Sequence, residues 1–222
     1  MKEVLQIIAV FVLFAFIHSL CVRERVKEYF ARLVGVRATK GLYRLLYTLF
    51  SALTTLLAFL YINSLPDYYI FRGPAWFRWP MHFIQLAGLL FAASTFRAID
   101  NLEFLGLRQF FKFLRGEDIG GDLEGISSNR LITTGAYAVV RHPMYLGGLI
   151  IFSFEPNITR NWLTVSILAD IYFIYGALAE EKRLIRAFGQ EYLDYMKRVN
   201  RFLPTLNGLK QYLRWLFGLE DR

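Results

Sequence analysis

The chain has 222 residues, 55% of them hydrophobic and 20% charged, with a formal net charge of +8. Apolar usage above the roughly 45–50% of soluble domains, gathered into long blocks, excludes an ordinary soluble enzyme and points to an integral membrane protein. A single cysteine, Cys21, excludes an intrachain disulfide framework and a cysteine-based metal site. The basic residues sit beside apolar blocks, which fits a positive-inside bias or anionic lipid headgroups rather than nucleic acid.

Five apolar segments are read in chain order. The first covers about 4–20 (VLQIIAVFVLFAFIHSL) and is followed by CVRERVK, with no small-residue cleavage pattern, so no cleavable signal peptide is expected. Its His18 is expected as a hydrogen-bonded interior group. The second covers about 43–64 and the third about 80–98, with Arg97 near its end. Between them, 65–79 (LPDYYIFRGPAWFRW) has the Tyr, Trp and Phe content of an interfacial belt. The stretch 102–116 (LEFLGLRQFFKFLRG) alternates Leu and Phe with Arg and Lys at helical spacing and predicts a helix lying on the membrane surface. Four glycines and four acidic residues in 116–129 (GEDIGGDLEGISSN) predict a loop.

The fourth segment, about 143–155, is short of the roughly 20 residues a straight crossing needs. It completes a span if its helix begins in AYAVV or continues through NIT. The fifth covers about 161–179 and joins the fourth near EPNITRN as a helical hairpin. Asp170 lies inside it and is expected to pair within the bundle.

The predicted fold is therefore all-α: a polytopic membrane protein of about five transmembrane helices with a C-terminal helical hairpin. Lys and Arg number seven in 22–44, two in 65–79, six in 97–141, one in 155–161 and nine from Glu180 onward. This alternation fits five spans with the N-terminus outside and the C-terminus in the cytoplasm, in a prokaryotic-type inner membrane. Residues 1–222 read as one membrane domain: a three-span part (1–100), an amphipathic helix and loop (101–130), a catalytic part (131–204) and a cytoplasmic tail (205–222).

Two stretches flank the hairpin, LITTGAYAVVRHPMYLGG (131–148) and AEEKRLIRAFGQEYLDYMKRVNRFLP (179–204). A hairpin brings its ends together, so both should meet on the cytoplasmic face. Taken singly, each has a plain reading. Arg141 and His142 suit headgroup-level anchors, with Pro143 in a helix's first turn, where its missing N–H costs nothing. Glu180 and Glu181 suit a solvated helix end, and FGQEYLDYMKRV an amphipathic helix with Tyr192, Tyr195 and Val199 on one face.

Together the stretches are more specific. Gly135, Tyr137, Arg141, His142, Pro143, Tyr145 and Gly147 form the pattern Gly-x-Tyr-x-x-x-Arg-His-Pro-x-Tyr-x-Gly. After the hairpin come Glu180, Glu181, Leu184, Phe188, Gly189, Tyr192, Tyr195, Val199 and Pro204. This order resembles the C-terminal half of the isoprenylcysteine carboxyl methyltransferase and phospholipid methyltransferase superfamily, over about a third of the chain. Ala136 stands where many members have Pro. The N-terminal FIHSL and GLYRLLYTLF look like a subgroup that includes bacterial small-thiol methyltransferases and membrane proteins associated with denitrification.

The resemblance implies S-adenosylmethionine as cofactor. It implies a cofactor site at Gly135, Tyr137, Arg141, His142, Pro143, Tyr145, Leu146, Gly147, Glu180 and Glu181, with Glu181, Arg141 and His142 catalytic. The residue types suit that ligand. A carboxylate, Glu180 or Glu181, pairs with the ammonium. Arg141, His142 and the amides of the helix opening at Pro143 suit the carboxylate. Tyr137 and Tyr145 offer flat faces or hydroxyls to adenine or ribose. Glu181 or His142 could take a proton from a thiol or amine acceptor. The expected partners are the lipid bilayer and a lipophilic or small-molecule acceptor: a prenylcysteine-like carboxylate, a lipid amine or a thiol. The alternative is a heme-binding or redox membrane protein using His18, His82 or His142 as axial ligands.

Overall fold

The computed structural model describes residues 1–126 and 130–219. The last three residues of the predicted acidic loop, 127–129, and the last three of the predicted tail, 220–222, lie outside the described residues. In chain order the elements are α1 (Lys2–Cys21), α2 (Glu24–Val34), α3 (Val36–Ser64), β1 (Tyr69–Arg72), α4 (Ala75–Ser94), a 3₁₀ turn (Thr95–Arg97), α5 (Asn101–Leu105), α6 (Leu107–Leu114), α7 (Ala136–Val139), α8 (Pro143–Ser153), β2 (Asn157–Thr159), α9 (Arg160–Phe188), α10 (Gln190–Arg198) and α11 (Leu206–Leu216). Among the described residues the fold is all-α apart from one short strand pair. Helices α1, α3 and α9 are long and apolar enough to cross a membrane. The chain divides into two units, one of Met1–Pro66 with Asp100–Asn129 and the other of Asp67–Ile99 with Arg130–Arg222.

In the first unit, α1 is apolar all round and buries only Ile7 and His18. The expected interior role of His18 is seen: its Nδ1 lies 2.8 Å from the Phe14 carbonyl oxygen and its Nε2 3.4 Å from Thr54 Oγ1. Along α3, Thr48, Thr54 and Thr55 donate to carbonyls one turn back. No hydroxyl of these three is thereby left without a partner in lipid.

The single surface helix expected over 102–116 is two helices. Asp100 caps α5, its Oδ1 accepting from the Leu102 and Glu103 amides at 3.1 Å. Gly106 then breaks the helix at φ +84. A Cβ there would strike the Leu45 backbone, so glycine lets this corner rest on α3. The acidic loop is anchored by Glu124, which is buried and ion-paired to Lys27 Nζ at 2.6 Å and Arg44 Nη1 at 3.0 Å.

In the second unit, α4 packs on α8 and α8 on α9. Small residues set the approach. A Cβ on Gly88 would meet Ile150, one on Gly147 would meet Ala92, and one on Gly148 would meet Phe173. Asp170 pairs inside this unit, accepting from Ser153 Oγ at 2.7 Å.

The fourth apolar segment does not lengthen in either way the sequence allowed. Val140 is extended and His142 sits outside helical geometry, so α7 stays a separate turn before Pro143. At the other end NIT is strand β2, paired antiparallel with β1 in the aromatic connection. At 11 residues, α8 is about 16 Å long and does not cross a bilayer alone. Helix α9 has 29 residues. Its part beyond Ala179 carries the chain roughly 13 Å past the apolar run and bears Glu180 and Glu181.

Candidate active site

The two flanking stretches meet in the second unit. The Arg141 amide donates to the Asn200 carbonyl at 2.9 Å, and the His142 amide to the Arg201 carbonyl at 3.3 Å. This pairing draws the turn after α10 against the strand-like residues before α8. Beneath it, Tyr192, Tyr195 and Val199 are buried together, with Leu184, Ile185, Phe188 and Met196 packed around them. The Tyr195 hydroxyl donates to the Tyr137 carbonyl at 2.6 Å. The Phe-Gly and Tyr-x-x-Tyr positions thus make a packed base, fastening α10 to α7.

On that base the two adjacent glutamates differ sharply. The Glu181 side chain is 5% exposed, and that of Glu180 32%. Glu181 Oε1 accepts from Arg141 Nε at 2.8 Å and Nη2 at 2.7 Å, and Oε2 from Arg201 Nη2 at 2.6 Å. His142 Nε2 lies 3.2 Å from Glu181 Oε1. The remaining Arg141 nitrogen, Nη1, donates to the Val199 carbonyl at 2.6 Å and the Met196 carbonyl at 3.3 Å. All three guanidinium nitrogens of Arg141 therefore engage protein groups, and Arg141 ties α9 to the end of α10.

Glu180 faces a different set. His142 Nδ1 is 3.6 Å from Glu180 Oε2, and Arg183 Nη2 is 3.9 Å from Oε1. Tyr145 lies near the same carboxylate. Burial, then the Glu180 charge, pushes the Tyr137 phenol up to about 12, so this phenol stays protonated as a donor. His142 is buried between the two glutamates, with Tyr145 and Phe202 against its ring.

The other motif residues shape the backbone. Gly135 holds φ +63 and ψ −133, and a Cβ there would lie 3.0 Å from the Trp215 indole. Pro143 opens α8, and the Leu146 amide makes its first internal bond, to His142 O at 2.9 Å. The Met144 and Tyr145 amides precede that bond and have no partner within their own helix. Gly147 faces Ala92 of α4, and Tyr145 lies over Gly176 of α9.

Arg201 was not singled out from the sequence, where it stands in a basic turn, VNRFLP. The signal available was a cation between Val199 and Pro204, both motif positions. His82 approaches Gln85 Oε1 at 2.9 Å through Nδ1, so all three histidines engage protein groups.

The donor set suits S-adenosylmethionine. A partly exposed carboxylate matches its ammonium, helix-start amides and the open edge of Arg201 (34% exposed) match its carboxylate, and Tyr137 and Tyr145 match its adenosine.

Comparisons with known proteins find methyltransferases among the relatives of this chain. Residues 6–154 match the family described as NnrU protein. Methanethiol S-methyltransferase 2 of Bradyrhizobium diazoefficiens is 31% identical over 199 residues, covering 87% of this chain and 70% of that protein. Methanethiol S-methyltransferase 1 of the same organism is 30% identical over 192 residues, covering 86% of this chain and 64% of that protein. Protein-S-isoprenylcysteine O-methyltransferase of Rattus norvegicus is 34% identical over 113 residues, covering 47% of this chain and 38% of that protein. No solved structure matches the chain.

Proposed function

The chain belongs to the NnrU protein family and is an integral membrane methyltransferase, and on that premise we propose that it methylates a small thiol from S-adenosylmethionine, at Glu180 and the start of α8. The observation that carries this reading is the asymmetry of the two glutamates. Glu181 is locked by two guanidinium groups, whereas Glu180 is partly exposed beside His142, with the Tyr137 and Tyr145 phenols near enough to feel its charge.

S-adenosylmethionine, when bound, supplies a methyl group on a sulfonium for displacement by a nucleophile. Glu180 would pair with its ammonium, and the first amides of α8 with Arg201 would hold its carboxylate. Tyr137 and Tyr145 would offer their rings or hydroxyls to the adenosine. Arg141 and Glu181 fix the positions of His142 and the 199–201 turn. His142 is the proton acceptor for a thiol: Nε2–H bonded to Glu181 leaves the lone pair on Nδ1. Glu181 is less suited, because both its oxygens face guanidinium N–H groups. The segment 131–204 then forms the catalytic part, on the cytoplasmic side, with the N-terminus outside.

A small thiol is favoured because four relatives named for methanethiol match 86–87% of the chain, against 47% for the relative named for isoprenylcysteine. The test is transfer of labelled methyl from S-adenosylmethionine to methanethiol by protein in nanodiscs, with a farnesylcysteine analogue and lipid extract beside it. Transfer to methanethiol alone is expected. Transfer only to the prenylated or lipid acceptor contradicts the thiol assignment. No transfer to any acceptor, together with a Soret band in the purified protein, overturns the whole reading.

A further inference from the structure

The segment after Pro204, read from the sequence as a tail, is a capped helix with three distinct faces. Thr205 Oγ1 accepts from the Gly208 amide at 3.1 Å and starts α11. At 100° per residue, Gly208, Tyr212 and Trp215 share one face, Leu206, Leu209, Leu213 and Phe217 a second, and Lys210 and Arg214 lie next to the second.

The first face is packed. A Cβ on Gly208 would collide with the Ala138 carbonyl of α7, and the Trp215 indole lies against Gly135. Tyr212 meets Phe91 of α4 edge-on at 5.4 Å, and the Arg97 guanidinium sits 4.8 Å over the Trp215 ring. Helix α11 is therefore held between α4 and α7, and α7 carries Tyr137.

The second face is bare. Leu206 is 80% exposed, Leu209 39%, Leu213 50% and Phe217 69%. Beside it stand two cations, and 206–219 contains no acidic residue. An apolar stripe edged by cations alone matches the boundary between acyl chains and anionic headgroups.

We propose that α11 is seated in the anionic membrane interface and, through Trp215 and Gly208, clamps α7 in place. The bilayer supplies the cover for the stripe, and the packed face carries that anchoring to the Gly135–Tyr137 turn. Tyr137 is thereby positioned by a helix that touches lipid. The seat does not depend on which methyl donor or acceptor the enzyme uses.

The experiment uses the full chain with Cys21→Ser, in nanodiscs containing phosphatidylglycerol, carrying a nitroxide at Leu213→Cys or Gln211→Cys. Gln211 lies on neither the packed face nor the stripe. The label at 213 should collide with dissolved oxygen severalfold more than with an aqueous nickel chelate, relative to the label at 211. Equal aqueous access at both sites overturns the seat. Spin–spin broadening at 213 that disappears on dilution with unlabelled protein also overturns it, because a second copy then covers the stripe. For the clamp, Trp215→Ala should speed amide exchange severalfold in 136–140 and leave 192–199 unchanged. Unchanged exchange in 136–140 overturns the clamp.

Discussion

Glu124 in the first unit and Glu181 in the second are both buried and both held by two cations, yet their neighbourhoods differ. Beside Glu124, the further acid on Lys27 is Glu24, a surface side chain 66% exposed. Beside Glu181, the further acid is Glu180, partly buried beside His142, with the Tyr137 and Tyr145 phenols near enough to feel its charge. The first cluster fastens α2, α3 and the acidic loop. The second fastens α9, the α10 end and the residues before α8, and in doing so presents a second carboxylate among donors. A buried ion pair is thus a mark of assembly, and the group it holds up for use is the mark of a site.

The largest effect expected on this comparison comes from Glu181→Ala. It leaves Arg141 and Arg201 without their carboxylate and should destabilise the protein by about 3–5 kcal/mol, seen as a large fall in thermal midpoint in detergent. Glu180→Gln should leave that midpoint nearly unchanged and weaken S-adenosylhomocysteine binding by on the order of 2 kcal/mol or more, about 30-fold. A large stability loss in Glu180→Gln would dissolve the distinction between the two acids.

Glu124→Gln should cost about 1–3 kcal/mol of stability with no change in S-adenosylhomocysteine affinity, because its role is confined to the first cluster. Burial alone would lower Lys27 and raise Glu124. Their mutual hydrogen bond and the nearby charges outweigh it, so Lys27 sits above its ordinary 10.5 and Glu124 below its ordinary 4.5. A depressed carboxyl stabilises the fold above its ordinary value and loses that contribution as pH falls through the folded value. A raised ammonium stabilises below its ordinary value and loses the contribution as pH rises through the folded value. A thermal midpoint scan below pH 4.5 should therefore fall more steeply in the wild type than in Glu124→Gln. Gly135→Ala should cost about 1–3 kcal/mol, because φ +63 with ψ −133 suits glycine and a Cβ would crowd the Trp215 indole, with a modest loss of cofactor affinity through α7.

The sequence and the structure agree where a signal is local and long. Apolar runs identify α1, α3 and α9, and the hairpin logic brings 131–148 to 179–204. Five features are not legible in the sequence, for physical reasons. The strand pair joins Tyr69–Arg72 to Asn157–Thr159, elements of four and three residues far apart in sequence, too short for any periodic pattern. Helix α8 stays short because Val140 and β2 close it at both ends. Burial of Glu124 and the engagement of Arg201 depend on tertiary partners, and in sequence both look like solvated charges. The division between Glu180 and Glu181 is of the same kind, since adjacent helix residues point about 100° apart and only packing decides which one is enclosed.

In the proposed site Glu180 binds the cofactor and Glu181 holds the surrounding elements together. The most direct test is calorimetric titration of S-adenosylhomocysteine into wild type and Glu180→Gln in the same nanodiscs, with thermal midpoints measured in parallel. Binding in the wild type, with at least about 30-fold weaker binding at an unchanged midpoint in Glu180→Gln, is the predicted result. Equal affinity in the two proteins, or no binding by the wild type, would contradict it.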